Sequence, residues 1–508
     1  MKKIITSILA HEVSAALRPV ASAPGWGGQT GLRVIIIFTP GGGVPRPDRC
    51  DRTKGRRRRG GPPQCLGRVR RHGDPPPAGG GGAADRRPRR GRGNREGTGP
   101  TGPSRRNGIG GRPVTSVPAR GPAPAPLRGH RPGDFVLAAP GRTLLARDPV
   151  GEVVLRPGEP EGDLRERLAE GTAAGAPRPA VAVGALPFDP GAPARLVVPR
   201  TVVSMPRSAD PPPPPGPPFE VRCRHEEPSA REYARGVARA VDRISRTGLR
   251  KVVLARALDL SLDRPVDPGW LLRRLAGQNP RGYAFAVEVP GADRRTTLVG
   301  ASPELLVARR GRAVRCHPLA GSAARDADPD VDRRRARSLA GSEKDRREHA
   351  FVVAAIADAL RPLCTALDVP ARPSLTATAT MWHLGTRITG ELADPEVSSL
   401  ALARAVHPTP AVCGTPTEAA RQAVAELEPF DRGHYAGAVG WCDAEGDGEW
   451  AVALRCAEVS DREVRLFAGA GIVADSDPRA ELAETAAKFR TVLAALGVEP
   501  HPTEPPTE

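Results

Sequence analysis

The sequence predicts an α/β chain that mixes strands and helices in the α+β manner, and three observations carry that class. Apolar runs alternating with period two recur, as in RKVVLARALDLSL (250–262) and WAVALRCAEV (450–459). Two segments place helix-start signals ahead of apolar residues at three-to-four spacing, SEKDRREHAFVV (342–353) and SDPRAELAETAAKF (476–489). From about residue 133 to 497, strand, helix and glycine-turn signals alternate irregularly with no fixed repeat. GxxxxGK[ST], GxSxG and HExxH are all absent, which removes the phosphate-loop, hydrolase-elbow and zincin readings.

With 508 residues and 39% apolar content, the chain can bury a sizeable core. Its net charge of +19 is unevenly placed. Residues 1–130 hold 26 Lys and Arg against 6 Asp and Glu, leaving 50 against 51 in the remainder. That first quarter is an Arg, Gly and Pro mixture with almost no apolar periodicity, so it is predicted to be disordered, either as a real non-catalytic extension or as spurious translation of GC-rich sequence. An Arg-rich tail can contact phosphates, but without interleaved aromatics no specific nucleic-acid binding is expected. The opening MKKIITSILAHEV looks like the start of a signal peptide until His11 and Glu12 interrupt it. No apolar run approaches the roughly 20 residues that cross a bilayer. The eight cysteines include no CxxC pair, which argues against a disulfide framework or structural zinc, and the expectation is a cytoplasmic, non-membrane protein.

Taken in order, GDFVLAAPGRTLLARD (133–148) reads as two strands split by Pro-Gly, and AVAVGALPFDP and ARLVVPRTVV as two more. SADPPPPPGPPFEV (208–221) taken alone marks a domain boundary. A helix follows over SAREYARGVARAVDRISRTG, with Gly248 as its stop. Lys251 stands at the mouth of a strand apolar on both faces, where snorkelling to water is the ordinary explanation. Arg455 is predicted in mid-strand beside Ala451, Ala453 and Ala457, and a buried guanidinium needs an acid partner, since an unpaired one costs about 3–5 kcal/mol. LVGASPELLV sets Glu304 between a proline and an apolar run, HPLAGSAARD places a Gly-Ser turn after a short strand, and HPTPAVCGTP reads as a rigid loop. RLFAGAGIVADSD ends a strand in a small-residue turn whose N–H groups can face an anion. Asp477 and Pro478 then start a helix carrying Glu481, Glu484 and Lys488 on one face, a pattern that an exposed Glu-to-Lys ladder also gives. In the 342–353 helix, Ser342 and Asp345 form a near capping box, while Glu348 falls one turn ahead of Val352, Ile356, Leu360 and Leu363, on the side that should be buried.

The series KVVLAR, GASPELL, PLAGSA, SEKDRREH, WHL, HPTPAVCGTP, ELEPFDR, GAVGWCD, GDGEWAVALRCA, FAGAGIV and ELAETAAK, in that order, resembles isochorismate synthase among the chorismate-using enzymes. The resemblance spans about 133 to 498. It implies one domain over 131–500, with a flexible 501–508 tail and the proline run as a surface loop, and large antiparallel sheets wrapped by helices around a central cavity.

The resemblance also implies chemistry. Chorismate is the substrate, and water adds at C2 of its ring while the C4 hydroxyl leaves. Lys251 matches the general base, which must be neutral to accept a proton from water, and Glu304 the general acid, whose surroundings should raise its pKa. Arg455 and Lys488 match the ligands of the substrate carboxylates, aided by backbone N–H groups of Gly469 and Ala470 and near Gly321 and Ser322. His383 matches an active-site histidine without a firm role, and Ala411 and Val412 lie beside the ring. Mg2+ is the implied cofactor, held by Glu348 and Glu484 with Glu481 as a further acidic contact to its waters, and Asp345 is assigned to the helix cap. Lys251 favours water over the ammonia used by anthranilate synthases. Salicylate synthase is the alternative within the family, and a nucleic-acid-binding protein with an inactive enzyme domain the alternative outside it. A monomer is expected.

Overall fold

The computed structural model describes residues 127–499 except 128, 159–165, 167, 169–180, 208–212, 214–215, 217 and 292–294. The predicted 1–130 extension, apart from Leu127, Gly129 and His130, and the 501–508 tail lie outside the described residues. All described residues belong to one contact unit, Pro103–Glu508.

Among the described residues seventeen strands form one sheet. Every pairing in it is antiparallel, and sixteen of these strands follow one another in a single path. The path starts at Cys364–Asp368 and runs through Ile388–Leu392, Ala313–His317, Leu305–Arg310, Gly448–Val452 and Ala438–Asp443. It continues through Val181–Leu186, Ala194–Pro206, Arg142–Leu155, Phe135–Ala138, Tyr283–Val289 and Thr296–Ser302. Cys456–Ser460, Glu463–Ile472, Lys251–Leu262 and Val221–Glu227 complete it, with Gly414–Thr415 pairing beside Lys251. Strands on both sides of the proline-rich run thus lie in one ladder. A separate three-stranded sheet joins Leu319–Ala324, Met381–Gly385 and Ser374–Ala377.

The two apolar faces of Lys251–Leu262 are explained by burial on both sides of the sheet. On one face Ala255 and Ala257 enter a large core that includes Trp441, Trp450 and Phe285, while on the other Leu258, Leu260 and Leu262 enter a second core under the helices Pro268–Gln278 and Pro478–Leu496. Helix ends follow the sequence signals. Ser229 makes a capping box for Ala230–Arg246, which ends at Thr247 ahead of Gly248. Asp477 caps Pro478–Leu496 by accepting from the Ala480 N–H at 2.8 Å, and Gly497 at φ 73° closes it. Ser342 accepts from the Asp345 N–H in Glu343–Leu360, whose buried stripe is His349, Val352, Ile356 and Leu360. Leu363 falls beyond that helix, in a short 3-10 turn. Among the described residues no helix is long and apolar enough to cross a membrane.

Three local expectations are corrected. WAVALRCAEV is two strands, because Arg455 takes a left-handed φ of 50° that no continuous strand accommodates. Gly321 and Ser322 form no turn; they lie within Leu319–Ala324, where Gly321 at φ 73° makes a bulge. Gly469 and Ala470 sit inside the strand Glu463–Ile472, opposite Ala255 and Leu254, rather than in the turn that follows.

Packing within the sheet leaves no room at Gly300, where a Cβ would overlap the Phe285 ring and stand 2.6 Å from Cys456 Cβ. Gly300→Ala is expected to lower stability by about 1–3 kcal/mol, read as an earlier denaturant midpoint at unchanged slope.

Candidate active site

A cleft of about 590 Å3, its open mouth included, collects side chains that lie far apart in sequence. Glu304 enters from the two-residue break between Thr296–Ser302 and Leu305–Arg310, its N–H donating to Ser302 Oγ at 3.2 Å. Gly321, Ser322 and His383 come from the small sheet, Glu348 from Glu343–Leu360, and Glu484 and Lys488 from Pro478–Leu496. Ala411 and Val412 line one wall on the loop after Ser399–Val406. That loop is braced by Arg432, which donates to the Val412 carbonyl at 2.7 Å and the Val253 carbonyl at 2.8 Å while paired with buried Glu428. Here ELEPFDR acquires its physical meaning. Gly469 also lines the cleft, whereas Ala470, one residue on, buries its side chain in the large core.

Each of the three acids singled out from the sequence is matched to a lysine. Lys251 Nζ stands 2.9 Å from Glu348 Oε1, within ion-pair distance but outside hydrogen-bond geometry. Lys488 Nζ lies 2.6 Å from Glu484 Oε1 and donates to the Gly469 carbonyl at 2.7 Å. Lys344 Nζ donates to Glu481 Oε1 at 3.0 Å. Snorkelling is excluded for Lys251, which is 0% exposed. Its contact with the cleft runs through Glu348.

Surroundings push these acids apart. Burial raises Glu484, but Lys488 and the Ser322 hydroxyl, 2.9 Å away, outweigh it and leave the carboxyl below its usual range. Glu481 is held above its usual range by burial and then by the Glu484 charge, against Lys344. Glu304 departs furthest among the acids of the cleft. Burial drives it up to about 8 despite a Leu319 N–H and the charges of Lys251, Arg455 and Lys488, so at neutral pH it is mostly a neutral acid. His383 is likewise neutral, lowered by burial and then by Arg455 and Lys488; its ring bonds the Gly321 backbone and leaves Nε2 without a partner. Arg455 has no carboxylate within ion-pair distance among the described residues, so its guanidinium is available to an anion.

The donor set suits a hard cation. Glu348, Glu484 and Glu481 offer only oxygen, and Glu481 is raised in part by its acidic neighbour, a repulsion that a divalent ion relieves. Among the described residues no three His, Cys, Asp or Glu side chains stand together so that they alone could hold a metal ion. Magnesium, which keeps waters and substrate oxygens, needs no closed cage of side chains.

A family model described as "Chorismate binding enzyme" matches residues 201–497. The chain is 48% identical to isochorismate synthase DhbC of Bacillus subtilis, over 73% of this chain and 96% of that protein. It is 42% identical to isochorismate synthase EntC of Escherichia coli, over 67% and 88%. A solved structure of DhbC from Bacillus anthracis superposes with a TM-score of 0.70 at 46% identity, covering 73% of this chain and 99% of that one. This chain belongs to the chorismate-binding enzyme family.

Within this chorismate-binding enzyme, sequence reasoning missed three positions. Asp345 does more than cap its helix: burial raises it, the bond to Ser342 opposes this, and the charges of Glu348 and Glu484 raise it further. It also packs so near Gly321 that a Cβ there would lie 3.0 Å from its own. Tyr435, 4% exposed and stacked on Phe467, lines the cleft; its only signal was being one of three tyrosines in the chain. Gly471 shares a face with Gly469 by strand alternation, and a Cβ there would overlap Glu348 Oε1 and stand 2.9 Å from Lys251 Cε. Gly471→Ala is expected to displace that pair and cut chorismate turnover by about 10²-fold, with an unchanged circular-dichroism spectrum.

Proposed function

We propose that the chain is an isochorismate synthase, isomerising chorismate by adding water at C2 of the ring as the C4 hydroxyl departs. The observation that carries this reading is the pairing of opposite proton tasks around one cleft. Glu304 is a carboxylic acid kept neutral to about pH 8, and Lys251 is a fully buried amine beside it in charge range. Similarity to DhbC and EntC supports the same reaction.

In this mechanism the substrate enters as a dianion. Arg455, which has no ion-pair partner among the described residues, and Lys488 take its carboxylates, and the closely packed Gly469 strand lets them approach the backbone. Lys251, in its neutral amine form, accepts a proton from the attacking water and becomes the ammonium that faces Glu348. Glu304 donates one to the leaving hydroxyl, which departs as water while the ring double bonds shift. Atoms balance: one water enters, one leaves, and the two protons are restored through solvent. Neutral His383 offers Nε2 as a hydrogen-bond acceptor toward the bound ring. Magnesium, when bound, supplies positive charge to fix the ring carboxylate; Glu348 and Glu484 are the residues to hold it, with Glu481 accepting from its waters. The reading draws only on residues of the 131–500 region.

Exhaustive chelation is expected to abolish chorismate conversion, and added Mg2+ to restore it, with isochorismate formed and no pyruvate released. Undiminished conversion after chelation overturns the metal assignment, and pyruvate appearing in step with chorismate loss favours a salicylate-forming enzyme. Lys251→Ala is expected to lower kcat by at least about 10²-fold with chorismate binding retained by calorimetry. The pH dependence has a definite sign. Because Glu304 must carry its proton, kcat/KM is expected to fall as pH rises through about 8, and a profile flat to pH 10 would remove Glu304 from the acid role.

A further inference from the structure

The three lysines that neutralise the acids differ in their freedom to move. Lys251 has 0% side-chain exposure and Lys488 13%, and the latter is also bonded to the Gly469 carbonyl. Neither can turn out into water without carrying a charge through the protein interior, which is costly. Lys344 is 35% exposed, so its ammonium can rotate into water.

Its carboxylate has no such choice. Glu481 is 3% exposed in its side chain and faces the Glu484 charge, so when ionised it needs a cation at all times. Lys344 is also badly placed for its own helix. It sits in the first turn of Glu343–Leu360, between Glu343 and Asp345, where the helix dipole disfavours positive charge. The contact with Glu481 compensates, and it joins the first turns of the two helices that carry Glu348 and Glu484.

We propose that Lys344 is the exchangeable counter-cation of the metal site: it neutralises Glu481 and staples the two acid-bearing helices while no divalent ion is bound, and swings to solvent when one is. This rests on the reading of Glu348, Glu484 and Glu481 as a magnesium site. Lys344 is a positioning residue, not a catalytic one. Its consequence is that magnesium affinity is set by competition with an ammonium, so removing the ammonium tightens metal binding while weakening the metal-free protein.

The experiment uses the full chain, freed of metal, in wild-type, Lys344→Met, Lys344→Gln, Lys344→Arg and Glu484→Gln forms. Mg2+ is titrated calorimetrically and the thermal midpoint is followed with and without it. Lys344→Met is expected to melt earlier than wild type without metal, to bind Mg2+ at least about threefold more tightly, and to gain more in midpoint on saturation. Lys344→Gln, which retains a hydrogen-bond donor but no charge, is expected to share the tighter binding, and Lys344→Arg to behave as wild type. A merely structural role lowers the midpoint without tightening the metal, so equal or weaker Mg2+ binding in both neutral variants overturns the proposal. A wild type without any magnesium response, or a Glu484→Gln variant that keeps the full response, overturns the metal-site reading and this exchange with it.

Discussion

Everything in the cleft depends on keeping several carboxylates close together out of water. An isolated ionised carboxylate cannot be buried at tolerable cost, and a second one beside it adds to the cost, as the Glu484 charge does for Glu481. The chain meets this with one ammonium per acid: Lys251 for Glu348, Lys488 for Glu484, Lys344 for Glu481. The pairs cross between secondary-structure elements in two of the three cases. Lys251 ties a sheet strand to the helix Glu343–Leu360, and Lys344 ties that helix to Pro478–Leu496. Electrostatic compensation and the spatial assembly of the site are therefore the same contacts.

That assembly demands thin backbone. Charged heads can meet over a strand only where the strand has no side chain of its own, and Gly471 is such a place, with Glu348 and Lys251 filling the space of its missing Cβ. Gly321 does the same toward Asp345, and its positive φ bulges the small sheet so that Ser322 faces Glu484 and the backbone receives His383. The alternation of small residues in FAGAGIV is thus a steric record of the groups lying across it.

Features governed by local physics were legible in the sequence. The caps at Ser342 and Asp477, the helix over Ala230–Arg246 and the doubly apolar strand after Lys251 depend on a few neighbouring residues, and they lie where spacing placed them. The joining of these pieces was legible only through resemblance, since sixteen strands in antiparallel succession require pairings such as Gly448–Val452 with Leu305–Arg310 that no short window encodes. Arg455 marks the limit. Its neighbours alternate like a strand, and a left-handed residue among them leaves no trace in hydrophobic pattern. Asp345 marks another: one carboxylate serves its own helix cap and the acidic cluster together, and only the first duty has a sequence signature. Lys488, the partner of Glu484, was readable as its helix neighbour at i+4, yet Lys344, the partner of Glu481, lies 137 positions away.

Glu304 and Glu484 show how one cleft shifts the same side chain in opposite directions. Glu304 is 2% exposed and the Glu484 side chain 27%, and desolvation raises both. Glu484 has a lysine ammonium at 2.6 Å and a serine hydroxyl at 2.9 Å, enough to reverse the effect and leave it ionised. Glu304 receives a single backbone N–H and only more distant cations, so desolvation wins and it keeps its proton. The difference is one of contact distance rather than composition, because Lys488 influences both. Moving that one ammonium from Glu484 toward a bound carboxylate would change the charge that each glutamate feels, which couples the arrival of the substrate to the proton inventory of the site.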